Sequence, residues 1–146
     1  MSTLKEIMTT DCVTVTLQDN IYEVAVKMKE HNIGIIPVVD NKKLIGVATD
    51  RDLVIRGYAE KKSGSTAVEE VISKNITTAS PDTNIDDAAN IMAEQQIRRL
   101  PVVENGNLVG IVAIGDLAVR DIFENEASDA LSKISEPTHE SQNFAH

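Results

Sequence analysis

The residues whose spacing carries the most chemistry are Gly46-x-x-Thr49-x-x-Asp52, set where an apolar run gives way to a helical pattern. A glycine permits close approach to the backbone. A hydroxyl and a carboxylate at a helix start sit beside free N–H groups and the positive end of the helix dipole, a setting that favours an anion such as phosphate. The carboxylate could also accept two hydrogen bonds from a ribose diol, as in dinucleotide sites. The simpler account is that Thr49 and Asp52 cap the helix, which both residue types do well. On spacing alone, capping is the stronger account.

Little else in the chain has catalytic spacing. No Cys-x-x-Cys, His-Glu-x-x-His or Gly-x-Ser-x-Gly occurs. Gly110-x-x-x-x-Gly115 is followed by Asp116 rather than Lys and Ser or Thr, so it is no phosphate-binding P-loop. His31 stands at an expected helix end, where a solvated cap is the simpler role than a ligand, because a metal site needs three or four clustered donors. Cys12 is the one cysteine, so no disulfide can form within the chain, and a small core thiol is its simplest role. A reducing cytoplasm is the expected compartment. No apolar run approaches the ~18 residues of a membrane span, and no apolar leader is read at the start. A non-catalytic protein with no metal and no resident cofactor is expected.

Charge narrows the partners. The net charge is −9, and residues 67–146 carry all of the imbalance. Such a surface repels nucleic acid and anionic lipid. With 3% aromatic residues and no Trp, the stacking platforms of single-strand binders are missing too. Neither nucleic acid nor membrane is expected. Against this background Arg98-Arg99 stands out, being two of only four basic residues between Ala67 and Phe123. As a pair balancing local acids it would be worth ~0–1 kcal/mol per salt bridge. As planar guanidinium groups ahead of a proline-led strand, the two suit bidentate phosphate binding.

The elements that must position these groups occur twice. Ile36-Pro37-Val38-Val39 to Asp52-Leu53 returns as Leu100-Pro101-Val102-Val103 to Asp116-Leu117, and at an offset of 64, without a gap, 16 of the 51 positions from Ile7 to Gly57 match. An internal repeat governs the reading of everything else. Thr3-x-x-Glu6 and Asn20-x-x-Glu23 have capping-box spacing. Helical periodicity places Ile21, Val24, Ala25 and Met28 on one face, and Ile85, Ala88, Ala89 and Met92 on its counterpart. The first long helix is expected to end near His31-Asn32. Val13–Val15 and Ile76–Thr78 read as short extended segments, and Val68–Ser73 as a short helix. Pro37 fits the first residue of a strand. Asn105-Gly106 is a strong hairpin signal. Helices are expected from about Asp52 towards Lys61 and from Asp116 to Glu126, with a further turn at Leu131 and Ile134. Each repeat therefore reads β-α-β-β-α, with a right-handed parallel crossover followed by a hairpin. The fold class is α/β (α+β), with the two small units expected to share one core. The units are 1–62 and 67–126, joined by a linker at 63–66 that overlaps the polar run Lys61-Lys62-Ser63-Gly64-Ser65, and followed by a tail at 127–146 containing His139 and His146.

The paired stretches resemble the cystathionine-β-synthase (CBS) domain pair, or Bateman module, over about Thr3 to Glu126, and are closest to stand-alone bacterial CBS-pair proteins. The resemblance implies two repeats packed through their sheets with pseudo-two-fold symmetry. It implies a regulatory sensor of AMP, ADP or ATP, or sometimes of S-adenosylmethionine or NAD, that dimerises and acts on a protein partner the sequence does not identify. It further implies one composite nucleotide site: Thr49 and Asp52 on ribose and phosphate, Thr78 lining the adenine pocket, Arg98 and Arg99 supplied by the other repeat, and Val47 and Ile97 as apolar wall. A second, weaker site would use Asp116, Thr14 and Ile35, with Ala113 in place of the hydroxyl and Gly34 and Ile35 in place of the arginines. With the repeat included, binding is the preferred account over capping alone. A ligand-free structural dimerisation module is the main rival, and an enzyme acting on nucleotides is a third reading without a visible general base.

Overall fold

The structure, a computed structural model, describes residues 2–118 of the chain. The expected last helix starts within this range, residues 114–118 being helical. Its continuation to Glu126, the turn at Leu131 and Ile134, and the tail with His139 and His146 lie outside the described residues.

Capping chemistry sets the two long helices. Asn20 Oδ1 accepts from Glu23 N and Glu23 Oε1 accepts from Asn20 N, both at 2.8 Å, starting α2 (Ile21–His31); α1 (Leu4–Ile7) precedes it. α2 ends where Asn32 turns left-handed, with φ 53°, a conformation asparagine tolerates. Asn84 caps its counterpart α4 (Ile85–Gln95) through Asp87 N at 2.7 Å, and Gln96 closes it at φ 55°.

The hairpins are β2 (Ile35–Asp40) with β3 (Lys43–Thr49), and β4 (Arg99–Glu104) with β5 (Asn107–Ala113). Both turns have two residues at positive φ: Asn105-Gly106 at 55° and 82°, and Asn41-Lys42 at 49° and 76°. These primed turns match the twist of the flanking strands. β1 (Val15–Thr16) runs parallel to β2, and one five-stranded sheet results in the order β1-β2-β3-β5-β4. Its two halves meet only near the hairpin tips, where Leu44 N donates to Gly106 O at 3.0 Å and Leu108 N to Lys42 O at 2.8 Å.

Pro37 is not the first residue of its strand but the third. The reason shows best at its counterpart. Ala79 N donates to Pro101 O at 3.1 Å and Val103 N donates to Ala79 O at 2.8 Å; the next donor of that parallel ladder would be the N–H that proline lacks. The proline thus ends the parallel pairing, and the expected strand at Ile76–Thr78 reduces to a single bridge at Ala79.

The expected shared core is replaced by two. One contains Val15, Ile21, Val24, Met28, Ile36, Val38 and Ala48 of the first repeat with Val68, Val71 and Ile72 of the second. The other contains Ile85, Ala88, Met92, Leu100, Val102, Val112 and Leu117 with Leu4 of the first. Each repeat sends its opening segment across to complete the other's core. The backbone follows the same exchange: Thr9 bridges Ile111 and Ser73 bridges Val47, each 64 from its counterpart. Gly46 and Gly110 make room for it. A Cβ on Gly46 would lie 2.6 Å from the Ser73 carbonyl oxygen, and one on Gly110 would lie 2.5 Å from Met8 Sδ. The close approach that the glycine permits is therefore made by the chain itself.

Candidate functional site

β3 runs into α3 (Asp50–Asp52), three residues long, which passes into a π-helical turn at Leu53–Gly57 and a 3₁₀ turn at Tyr58–Glu60. The helix expected from Asp52 towards Lys61 is present, running from Asp50 to Glu60, but only its first three residues are α-helical. Thr49 and Asp52 form a reciprocal cap: Asp52 N donates to Thr49 Oγ1 at 3.0 Å, and Thr49 N to Asp52 Oδ2 at 3.1 Å. Arg51 N donates to Asp50 Oδ1 at 2.8 Å and Asp50 N to Gly34 O at 2.9 Å. The amides expected to face an anion at this helix start are thus already engaged, and any selection of an anion here falls on side-chain charge.

Side-chain charge is present. A crevice of about 850 Å³ opens between the repeats, lined from the first by Gly34, Ile35, Thr49, Asp50 and Arg51, and from the second by Gln96–Arg99 and Ala113–Gly115. Positions 34, 35, 49, 50 and 51 pair with 98, 99, 113, 114 and 115 at the offset of 64, so the crevice straddles the pseudo-two-fold axis. The cross-strand pairs Ile35–Thr49 and Arg99–Ala113 form its opposed walls. Its backbone is braced alike on both sides, since Ile114 N donates to Arg98 O at 2.8 Å as Asp50 N does to Gly34 O. Three arginines, Arg51, Arg98 and Arg99, are among the lining residues, against one acidic residue, Asp50. On a chain of net charge −9, a concave patch of excess positive charge focuses its field on an anion.

Of the residues named from sequence for the composite site, Thr49, Ile97, Arg98 and Arg99 line this crevice. Asp52 does not. It is the one buried charged side chain among the described residues, and beyond its cap it accepts from Ser73 Oγ at 3.4 and 3.5 Å and stands 3.9 Å from Arg56 Nε. Arg56 in turn donates to the Ile72 carbonyl at 2.9 Å, tying the cap to the exchanged segment. Val47 is buried in the ladder with Ser73, and Thr78 is half-buried outside the crevice lining. The three residues named for a second site are not brought together: Ile35 faces the crevice, Asp116 is exposed with Oδ2 accepting from Ala113 N at 3.3 Å, and Thr14 lies at a separate hollow of about 240 Å³ beside Cys12. At Cys12, burial and then the neighbouring Asp11 carboxylate push the thiol above its ordinary pKa, away from nucleophilic character. Among the described residues no three His, Cys, Asp or Glu are grouped to hold a metal, and no helix is long and apolar enough to cross a membrane.

A family model for the CBS domain matches residues 4–57 and again 68–121. The chain is a CBS-domain protein. It is similar to the CBS domain-containing protein YhcV of Bacillus subtilis, with 47% identity over 92% of this chain and 96% of that protein. Its fold is similar to CBSX2 solved in complex with AMP, at TM-score 0.76 and 26% identity, covering 84% of this chain and 98% of that one. It is also similar to the CBS domain pair of MJ0100 in complex with 5′-methylthioadenosine and S-adenosyl-L-methionine, at TM-score 0.74 and 28% identity, covering 86% and 99%. In this CBS pair, sequence reasoning missed Arg51 as a crevice residue. Matching the repeats at identical positions passes over it, because position 115 holds glycine; the available signal was a third arginine two residues after Thr49.

Proposed function

We propose that this CBS pair is a non-catalytic regulatory module of the cytoplasm that binds an adenine nucleotide in the crevice between its repeats. The observation that carries the reading is the excess of guanidinium charge in one hollow on the pseudo-two-fold axis of an acidic protein. Arg98 and Arg99 would take the phosphate through charge-assisted bonds. Thr49 would meet the ribose with Asp52 behind it, the long Ser73 contacts leaving that carboxylate capacity to accept. Ile97 would flank the ligand, and a base reaching past Thr49 would approach Val47 and Thr78. The similar proteins solved with AMP and with methylthioadenosine and S-adenosylmethionine support an adenosine-bearing ligand. Binding would then bias the packing of the repeats or of two protomers, as far as the ligand's affinity for the two states differs, and a protein partner would read the change.

A second reading, a ligand-free dimerisation module, draws on the exposed Val54, Ile55 and Tyr58, apolar side chains on one short helical stretch that a second copy of the chain would cover. A thermal-shift panel of AMP, ADP, ATP, S-adenosylmethionine and NAD separates the readings. A nucleotide present at ~100 times its dissociation constant should add ~2.7 kcal/mol of stability. Silence across the panel at millimolar concentration favours the structural module. The largest shift from S-adenosylmethionine or NAD would reassign the ligand while keeping the crevice.

A further inference from the structure

We infer that Arg51 is a third phosphate-binding group, and that the crevice is set for a nucleotide carrying two or more phosphates rather than one. The inference rests on the adenine-nucleotide reading above and specifies its ligand. Three features lead to it.

The backbone amides of residues 50–52 are occupied by Gly34 O, Asp50 Oδ1 and Thr49 Oγ1, so phosphate oxygens must be met by side chains. Arg98 and Arg99 are adjacent and come from the second repeat, whereas Arg51 comes from the first, across the pseudo-two-fold axis. Guanidinium forks bind phosphate oxygens in pairs, and Arg98 with Arg99 already supplies two forks for one terminal phosphate. A further phosphate is the group whose charge Arg51 matches.

Space is available along that line. The counterpart of Arg51 in the second repeat is Gly115, where an added Cβ would meet nothing within 4 Å. The remaining charge restricts the direction. Asp50 is anchored by the Arg51 amide, and its Oδ2 would lie 3.0 Å from a Cβ on Gly34. This carboxylate lies against the Gly34 wall, where it repels phosphate. A phosphate chain would therefore extend past Gly115 towards Arg51 and away from Gly34.

Calorimetric titration of the whole chain with AMP, ADP and ATP in metal-free buffer at one ionic strength tests this. The expected result is affinity rising about five- to tenfold from AMP to ADP or ATP, the low end of what a charged hydrogen bond gives because Arg51 is exposed. Arg51→Ala should abolish that gain. Arg51→Lys should keep part of the gain, since it retains the charge and loses the fork. Because Arg51 is exposed, its alanine variant should melt with the parent, so a lost gain is not misfolding. AMP bound as tightly as ATP, or an unchanged ratio in Arg51→Ala, overturns the role of Arg51 and leaves the nucleotide reading standing. Absence of binding by all three nucleotides strikes at the nucleotide reading itself, and the inference falls with it.

Discussion

Adding one methyl group at Gly46 should cost the fold about 1–3 kcal/mol, the range for overpacking, because the new Cβ would lie 2.6 Å from the Ser73 carbonyl oxygen. The same change at Gly115, where nothing lies within 4 Å, should stay within about 0.5 kcal/mol. Urea unfolding of the two variants checks this, and equal losses would contradict the exchanged packing. At Cys12, a half-buried thiol held largely protonated at neutral pH, iodoacetamide should react more slowly in the native chain than in urea, with the native rate rising as alkali forms the thiolate. Equal rates in the two states would refute the burial. At this scale the sequence was legible where chemistry is local. The spacing of Thr49 and Asp52 implied the cap that the structure contains. It was silent on Asp50 N and its acceptor Gly34 O, because that bond joins residues distant in sequence. The expectation of free amides facing an anion failed partly for that reason, and partly because Asp50 Oδ1 and Thr49 Oγ1 engage the Arg51 and Asp52 amides locally. Asp52, read as a ligand group, is first a cap, and Asp52→Ala should cost about 0.5–2 kcal/mol of stability whatever it does to binding.

Elements were legible in proportion to how much of their stability is local. α2 and α4 begin at Asn20 and Asn84 because the asparagine cap and apolar periodicity agree. The Asn105-Gly106 turn follows from its residue types. The π-helical turn at Leu53–Gly57 has no such signature. There Arg56 reaches the Ile72 carbonyl of the exchanged segment, and tertiary contact decides the conformation. The exchange itself was hidden for the same reason: nothing in Leu4 or Val68 says which repeat each will complete. Leu4 has 0% exposure and belongs to the core of the second repeat, so Leu4→Ala should destabilise the chain by about 2–5 kcal/mol. A urea midpoint unchanged from the parent would mean that α1 is not docked there.

At the scale of the whole molecule, two repeats of one pattern enclose a crevice whose chemistry is unequal. Its walls are related by the offset of 64, yet Arg98 and Arg99 oppose Gly34 and Ile35, and Thr49 opposes Ala113. Duplication supplies the hollow, and divergence at those positions supplies its polarity. The −9 charge then works against every anionic partner except one small enough to enter. Arg98 allows a cleaner test than Asp52, because it is exposed and its removal should leave the melting temperature near that of the parent. The most direct measurement is calorimetric titration of AMP or ATP into the parent chain and into Arg98→Ala. The account predicts one nucleotide per chain and affinity about 10- to 100-fold weaker in the variant, the worth of a charged hydrogen bond to phosphate. Affinity unchanged by that substitution would contradict it.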